Sequence, residues 1–128
     1  MTETAEGTPL WEPSEQLKEN ARISNYMDWL KDEKDLSFSD YNELWEWSVG
    51  DLEGFWASIW EYCGIKASKP YERVLGKREM LGAEWFPGAE LNYAEHALRH
   101  ATDRQDEPAI LHQSEVRSLG EVSWGELQ

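Results

Sequence analysis

Residues 51–64, Asp51-Leu52-Glu53-Gly54-Phe55-Trp56-Ala57-Ser58-Ile59-Trp60-Glu61-Tyr62-Cys63-Gly64, decide how this chain is read. Leu52, Phe55, Trp56, Ile59, Trp60 and Cys63 recur at three- and four-residue intervals, so a helix gathers them into one wide apolar stripe. Asp51 stands where a side-chain oxygen caps a first turn. Gly64 stands where a chain leaves a helix in the left-handed conformation. The spacing predicts a helix over 51–63 with Trp56 and Trp60 buried in the core.

Upstream, Ser39 or Asp40 is placed to cap a second helix over 40–48, whose apolar set is Tyr41, Leu44, Trp45 and Ser48. Trp47 falls off that face. Of Trp45, Trp47, Trp56 and Trp60 it is therefore the one expected to be partly exposed or to meet another domain. Beyond the polar break Asp32-Glu33-Lys34-Asp35-Leu36-Ser37, a helical pattern runs from Ser14 to Glu33. Ile23, Tyr26, Met27 and Leu30 fall on one face of it, predicting a helix over 20–33. Residues 1–13 read as an irregular arm broken by Pro9 and Pro13, with Trp11 expected to dock.

Downstream the periodicity fades. Gly76, Gly82, Pro87 and Gly88 mark turns, so 66–90 reads as a connection holding at most one short strand. Leu91, Ala94, Leu98 and Ala101 predict a helix over 91–101. After Pro108 the period changes to that of strands, expected near 108–115 and 120–124. The expected fold class is mostly α, with two strands at the C-terminal end. The expected organisation is an arm (1–13), an aromatic-rich helical region (14–65), a connection (66–90), and a helix with the first strands of a larger domain (91–128). Two strands alone make a marginal sheet, so the reading favours a segment of a larger protein.

Composition supports a folded but unusual core. Leu, Ile, Val and Phe supply only about 19% of the 128 residues, and the net charge is −14, values at the border of disorder. Eight Trp and five Tyr reverse that expectation, because aromatic rings bury large areas and disordered chains lack them. The acidic balance argues against nucleic acid and anionic membranes as partners. The single cysteine, Cys63, excludes an internal disulfide. It is expected to be a small buried hydrophobe, and the location cytoplasmic.

Candidate chemistry is sparse. His96 and His100 have the i, i+4 spacing of a metal pair, but no third ligand is evident and both point away from the Leu91/Ala94/Leu98 stripe. Two solvated surface histidines are the expectation. No GxGxxG, GxxxxGK[ST] or GxSxG pattern occurs, and the glycines stand singly among bulky residues. Aromatic clusters bind sugars or quaternary amines in some proteins, but at helical spacing core packing is the expected use of the tryptophans.

Three blocks, in order, carry a resemblance. Trp47-Ser48-Val49-Gly50-Asp51 through Phe55-Trp56 resembles the W-S-V/I-x-D-x-x-x-F-W pattern of the short-chain acyl-CoA synthetases, members of the adenylate-forming superfamily. Trp85-Phe86-Pro87-Gly88-Ala89-Glu90-Leu91-Asn92-Tyr93-Ala94-Glu95 is similar to that family's W-F-x-G-x-x-L-N-Y-A-E block. Glu107-Pro108-Ala109-Ile110 and Val122-Ser123-Trp124-Gly125-Glu126-Leu127 resemble its opening strands and following helix start. Pro9-Leu10-Trp11-Glu12-Pro13-Ser14 and Tyr26-Met27-Asp28-Trp29-Leu30 are most similar to the acetoacetate–CoA ligase branch. His96 replaces the Asn usual after that Glu.

The resemblance implies a parent reaction in which ATP, acetoacetate and coenzyme A give acetoacetyl-CoA, AMP and diphosphate, with magnesium. It also implies that the phosphate loop, the nucleotide contacts and the catalytic lysine lie later in the family's sequence. No catalytic, cofactor-binding or metal-binding residue is therefore assigned in this chain. The chain alone is expected to be inactive and to partner the remainder of the enzyme, with no nucleic acid and no membrane. Two other readings remain: a fragment of an acetyl-CoA or propionyl-CoA synthetase, and a stand-alone acidic helical module that binds a protein through exposed tryptophans.

Overall fold

A computed structural model describes residues 7–128. The backbone clusters into two units, one ending at Cys63 and one running from Gly64 to Gln128.

The first unit is helical. Ser14 caps α1 (Glu15–Glu19) by accepting the Leu17 N–H. The helical pattern expected to run on from Ser14 is interrupted at Asn20. Its side-chain amide donates to the Gln16 carbonyl at 2.7 Å, satisfying the last turn and letting the chain restart as α2 (Arg22–Lys34). Asp35 then takes a left-handed conformation and closes α2 onto the Leu30 carbonyl. Asp40 caps α3 (Tyr41–Gly50) through the Glu43 N–H at 3.0 Å, and Glu43 returns to the Ser39 N–H at 2.7 Å. Asp51 caps α4 (Leu52–Tyr62) through the Gly54 N–H at 3.0 Å. A Cβ at Gly54 would stand 2.2 Å from Asp51 Oδ2, so the missing side chain is what lets the cap close.

Tyr26, Leu30 and Leu44 form the centre of this unit, with Met27, Trp29, Leu36, Phe38, Trp47, Phe55 and Ile59 packed around them. Three expectations fail here, for one reason. Trp56 is 38% exposed, Trp60 is only half-buried, and Cys63 is exposed. In α4 the inner face is centred on Phe55, Ser58 and Ile59, and it is the small Ser58 that is buried. In α3 only Leu44 is buried. Trp47, expected to be the partly exposed one, is half-buried against Phe38 and Phe55, while Tyr41 and Trp45 face outward. Both helices are apolar on more than one face, and a stripe that wide does not say which part of it faces the core. Trp11, expected to dock, is 72% exposed.

The second unit begins with a folded-back loop rather than a strand. Isolated bridges pair Lys69 with Glu90 and Leu75 with Trp85. Phe86 N–H donates to the Val74 carbonyl at 2.7 Å, and Val74 is buried. Asn92 caps α5 (Tyr93–Ala97) by accepting from Ala94 and Glu95. Starting at this cap, α5 excludes Leu91. It ends at Leu98, well short of the expected residue 101, and the chain continues in tight turns that bury Ala101.

The unit closes with an antiparallel hairpin, β1 (Pro108–Ser114) and β2 (Arg117–Ser123), in register Ile110↔Val122, Leu111↔Glu121 and His112↔Gly120. A capping box between Ser123 and Glu126 starts α6 (Trp124–Leu127). Thus Glu121–Leu127 supplies both a strand partner and a new helix.

Candidate functional site

His96 and His100 do not form a pair. His96 Nε2 accepts the Lys66 N–H at 2.8 Å, pinning the start of the long loop to α5. His100 sits edge-on to the Trp124 ring, 5.5 Å between centroids, with Nδ1 3.7 Å from Asp103 Oδ2. Both are half-buried and used for packing, which corrects the expectation of solvated histidines. Among the described residues no three His, Cys, Asp or Glu side chains are grouped to hold a metal ion.

The most organised side-chain cluster lies in the helical unit. The Tyr26 ring stacks on Trp29 at 6.2 Å, meets Tyr62 at 5.0 Å and meets Phe55 edge-on at 6.5 Å. Phe55 continues the contact to Trp47 and Trp56. Inside the cluster, Tyr26 Oη lies 2.5 Å from Ser58 Oγ. Ser58 spends its proton on the Phe55 carbonyl at 2.7 Å, so Tyr26 is the donor. Burial pushes the Tyr26 phenol up from its ordinary value, and the Ser58 hydroxyl partly opposes that shift.

Beside the cluster lies an open groove of about 230 Å³, lined by Lys34, Leu36, Trp47, Gly54, Ala57, Ser58 and Glu61. Lys34 forms an ion pair with Glu61 and lies 5.6 Å from the Trp29 ring centre. Ser58 is committed to Tyr26 and Phe55. The groove therefore presents no nucleophile, and its acid and base neutralise each other.

ATP needs converging backbone N–H groups and cations around its phosphates. Here Lys18, Lys34 and Arg104 each bond a carboxylate, on Glu15, Glu61 and Glu107. The left-handed glycines Gly7, Gly64, Gly82 and Gly88 stand in separate turns. Those three cations are spent on carboxylates, and no chemical step is assigned through a bound nucleotide.

What the sequence reading missed is on α3. Tyr41, Trp45 and Val49 are 62%, 53% and 49% exposed. Their i, i+4, i+8 spacing makes a continuous outward stripe beside the Leu44 face. The signal was present as an apolar set on two faces of one short helix.

Comparison with known proteins places this architecture. Residues 41–97 match the family described as the acetyl-coenzyme A synthetase N-terminus. The acetoacetyl-CoA synthetase of Danio rerio is 38% identical over 98% of this chain and 19% of its own length. That of Rhizobium meliloti is 32% identical over 94% of this chain and 18% of its own. The solved structure of an acetoacetyl-CoA synthetase from Streptomyces lividans superposes with a TM-score of 0.87 at 45% identity, over 94% of this chain and 19% of that one. Over nearly its whole length this chain is similar to the N-terminal part of acetoacetyl-CoA synthetases. It is mostly helical with two C-terminal strands, and spans about a fifth of the length of the relatives it matches. The matched region 41–97 contains α3, α4, the long loop and α5. No helix among the described residues is long and apolar enough to cross a membrane.

Proposed function

We propose that this chain serves as the N-terminal structural segment of an acetoacetate–CoA ligase working in the cytoplasm. The parent enzyme would join acetoacetate to coenzyme A with ATP and magnesium, releasing AMP and diphosphate. The helical region 14–65 packs on the large adenylate-forming domain, and residues 91–128 begin that domain's first sheet. Catalytic and nucleotide-binding groups are supplied by the remainder of the enzyme and none by this segment. The observation that carries the reading is the superposition on the Streptomyces lividans synthetase over 94% of the chain at 45% identity. Agreement over nearly the whole length disfavours a stand-alone interaction module. The names of the relatives favour acetoacetate over acetate or propionate.

The test is a chimera in which this chain replaces the matching fifth of the Streptomyces lividans enzyme. The chimera is expected to keep acetoacetate-dependent ATP–pyrophosphate exchange, and the 128-residue chain alone to show none. A folded chimera without exchange, or exchange by the chain alone, overturns the proposal.

A further inference from the structure

The outward face of α3 has no explanation within its own unit. A solvent-facing helix side in a chain of net charge −14 is expected to carry charge. Here it carries Tyr41, Trp45 and Val49, each about half or more exposed, edged by Asn42 and the exposed Glu46. Tyrosine and tryptophan are the side chains that dominate buried contacts between protein surfaces. The neighbouring face of the same helix already satisfies the local core through Leu44 and Trp47.

Three observations select the occupant. The chain spans 19% of the Streptomyces lividans structure, so the relatives carry about four times this much further polypeptide. The family match begins at Tyr41 and takes in the whole stripe, while α1 and the hairpin lie outside it. The excess of 26 acidic over 12 basic residues makes a second copy of this chain a poor partner, since like charges would meet around the patch.

We infer that Tyr41, Trp45 and Val49 form the docking face through which this segment seats on the remainder of the synthetase. The receiving surface is an apolar patch with a lysine or arginine opposite Glu46. This rests on the proposed role as a synthetase segment and adds the face that performs it. The helix is thereby two-sided: Leu44 and Trp47 hold it to its own unit, and the 41/45/49 stripe holds that unit to the enzyme.

The experiment compares hydroxyl-radical labelling of the free 128-residue chain with that of the full-length chimera. Labelling of Tyr41, Trp45 and Val49 is expected to fall about fivefold or more in the chimera, as for side chains sealed in an interface core. In a second arm, Trp45→Ala and Glu46→Lys lower the chimera's melting temperature and leave that of the free chain unchanged. Equal labelling in both proteins, or equal effects of the substitutions on both, overturns the inference. A chimera that fails to fold also counts against it, because the face then does not fit the surface assigned to it. An active chimera with an unprotected stripe removes the docking face while leaving the proposed function standing.

Discussion

Tyr26 donates its phenolic proton to Ser58 across 32 residues of sequence, and the two buried side chains join α2 to α4 through a single 2.5 Å hydrogen bond. The rings of Trp29, Phe55 and Tyr62 surround Tyr26, so the hydroxyl pair fixes which face of α4 meets α2. That is a geometric instruction an apolar stripe alone does not contain. It also explains why a serine occupies the one buried position of α4. Its hydroxyl accepts from Tyr26 while donating to Phe55 at 2.7 Å, so neither buried hydroxyl is left without a partner.

Ser58→Ala strands the Tyr26 hydroxyl and is expected to cost about 1–3 kcal/mol, whereas Tyr26→Phe loses only the bond, about 0.5–1.5 kcal/mol. The double variant should cost less than the sum, which urea denaturation of the four proteins measures. Burial raises the Tyr26 phenol above its ordinary value. A raised folded value means that the folded state holds the proton more tightly. The contribution is complete below the ordinary tyrosine value of about 10 and is lost as pH rises through the raised one. Stability should therefore fall more steeply in alkali for the parent chain than for Tyr26→Phe. Identical alkaline profiles would rule out Tyr26 as the source.

Leu30 is completely buried, and Leu30→Ala is expected to cost about 2–5 kcal/mol. Trp45→Ala, with the ring 53% exposed, should stay within about 0.5 kcal/mol in the free chain. Thermal unfolding of both variants checks the contrast. A comparable loss at Trp45 would move that ring into the core.

The sequence showed the helices, some of their caps and the hairpin because those features are local. Asp40 and Asp51 act through amides three residues ahead, so short spacing suffices to find them, whereas the Asn92 and Ser123 caps appear only in the structure. It misplaced Trp56, Trp60 and Cys63 because orientation about a helix axis is set by distant partners. The Phe38–Trp47–Phe55 contacts and the Tyr26–Ser58 bond exist only once three helices have met. His96 was misread for the same reason: its partner, the Lys66 backbone, is 30 residues away. The outward stripe 41/45/49 lay in plain view but was merged with the inward one, since α3 is apolar on more than one face.

Gly64 adopts φ +60 immediately after α4, and nothing lies within 4 Å of where a Cβ would sit. The cost of Gly64→Ala is therefore backbone strain alone, about 1–2 kcal/mol for a left-handed residue with a side chain. Gly64→Asn should recover part of it, because asparagine tolerates this region. Differential scanning calorimetry of the pair is the check. An alanine variant as stable as the parent would mean that the chain leaves α4 by another path.

The base of the hairpin should loosen in acid, and the direction follows from two carboxylates. The Ser123 backbone N–H donates to Glu126 Oε2 at 2.9 Å and the Ser123 hydroxyl at 3.2 Å, which lowers the Glu126 carboxyl below the usual range. Glu107 is lowered by Arg104, whose Nε and Nη2 lie 2.9 Å and 2.5 Å from Glu107 Oε2. The two groups meet structurally, because Trp124 N–H donates to the Glu107 carbonyl at 3.0 Å. A lowered folded value means that the ionised form is favoured by folding. The contribution is present above the usual glutamate range and disappears as pH falls through the lowered values. Amide resonances of Ser123 and Trp124 should therefore shift together on acidification, with a midpoint below that of an unpaired glutamate. Glu126→Gln keeps an acceptor oxygen but cannot titrate, so its Ser123 resonance should lose most of the shift. A Ser123 resonance that titrates equally in the parent and in Glu126→Gln would show that the capping box does not control this end of the hairpin.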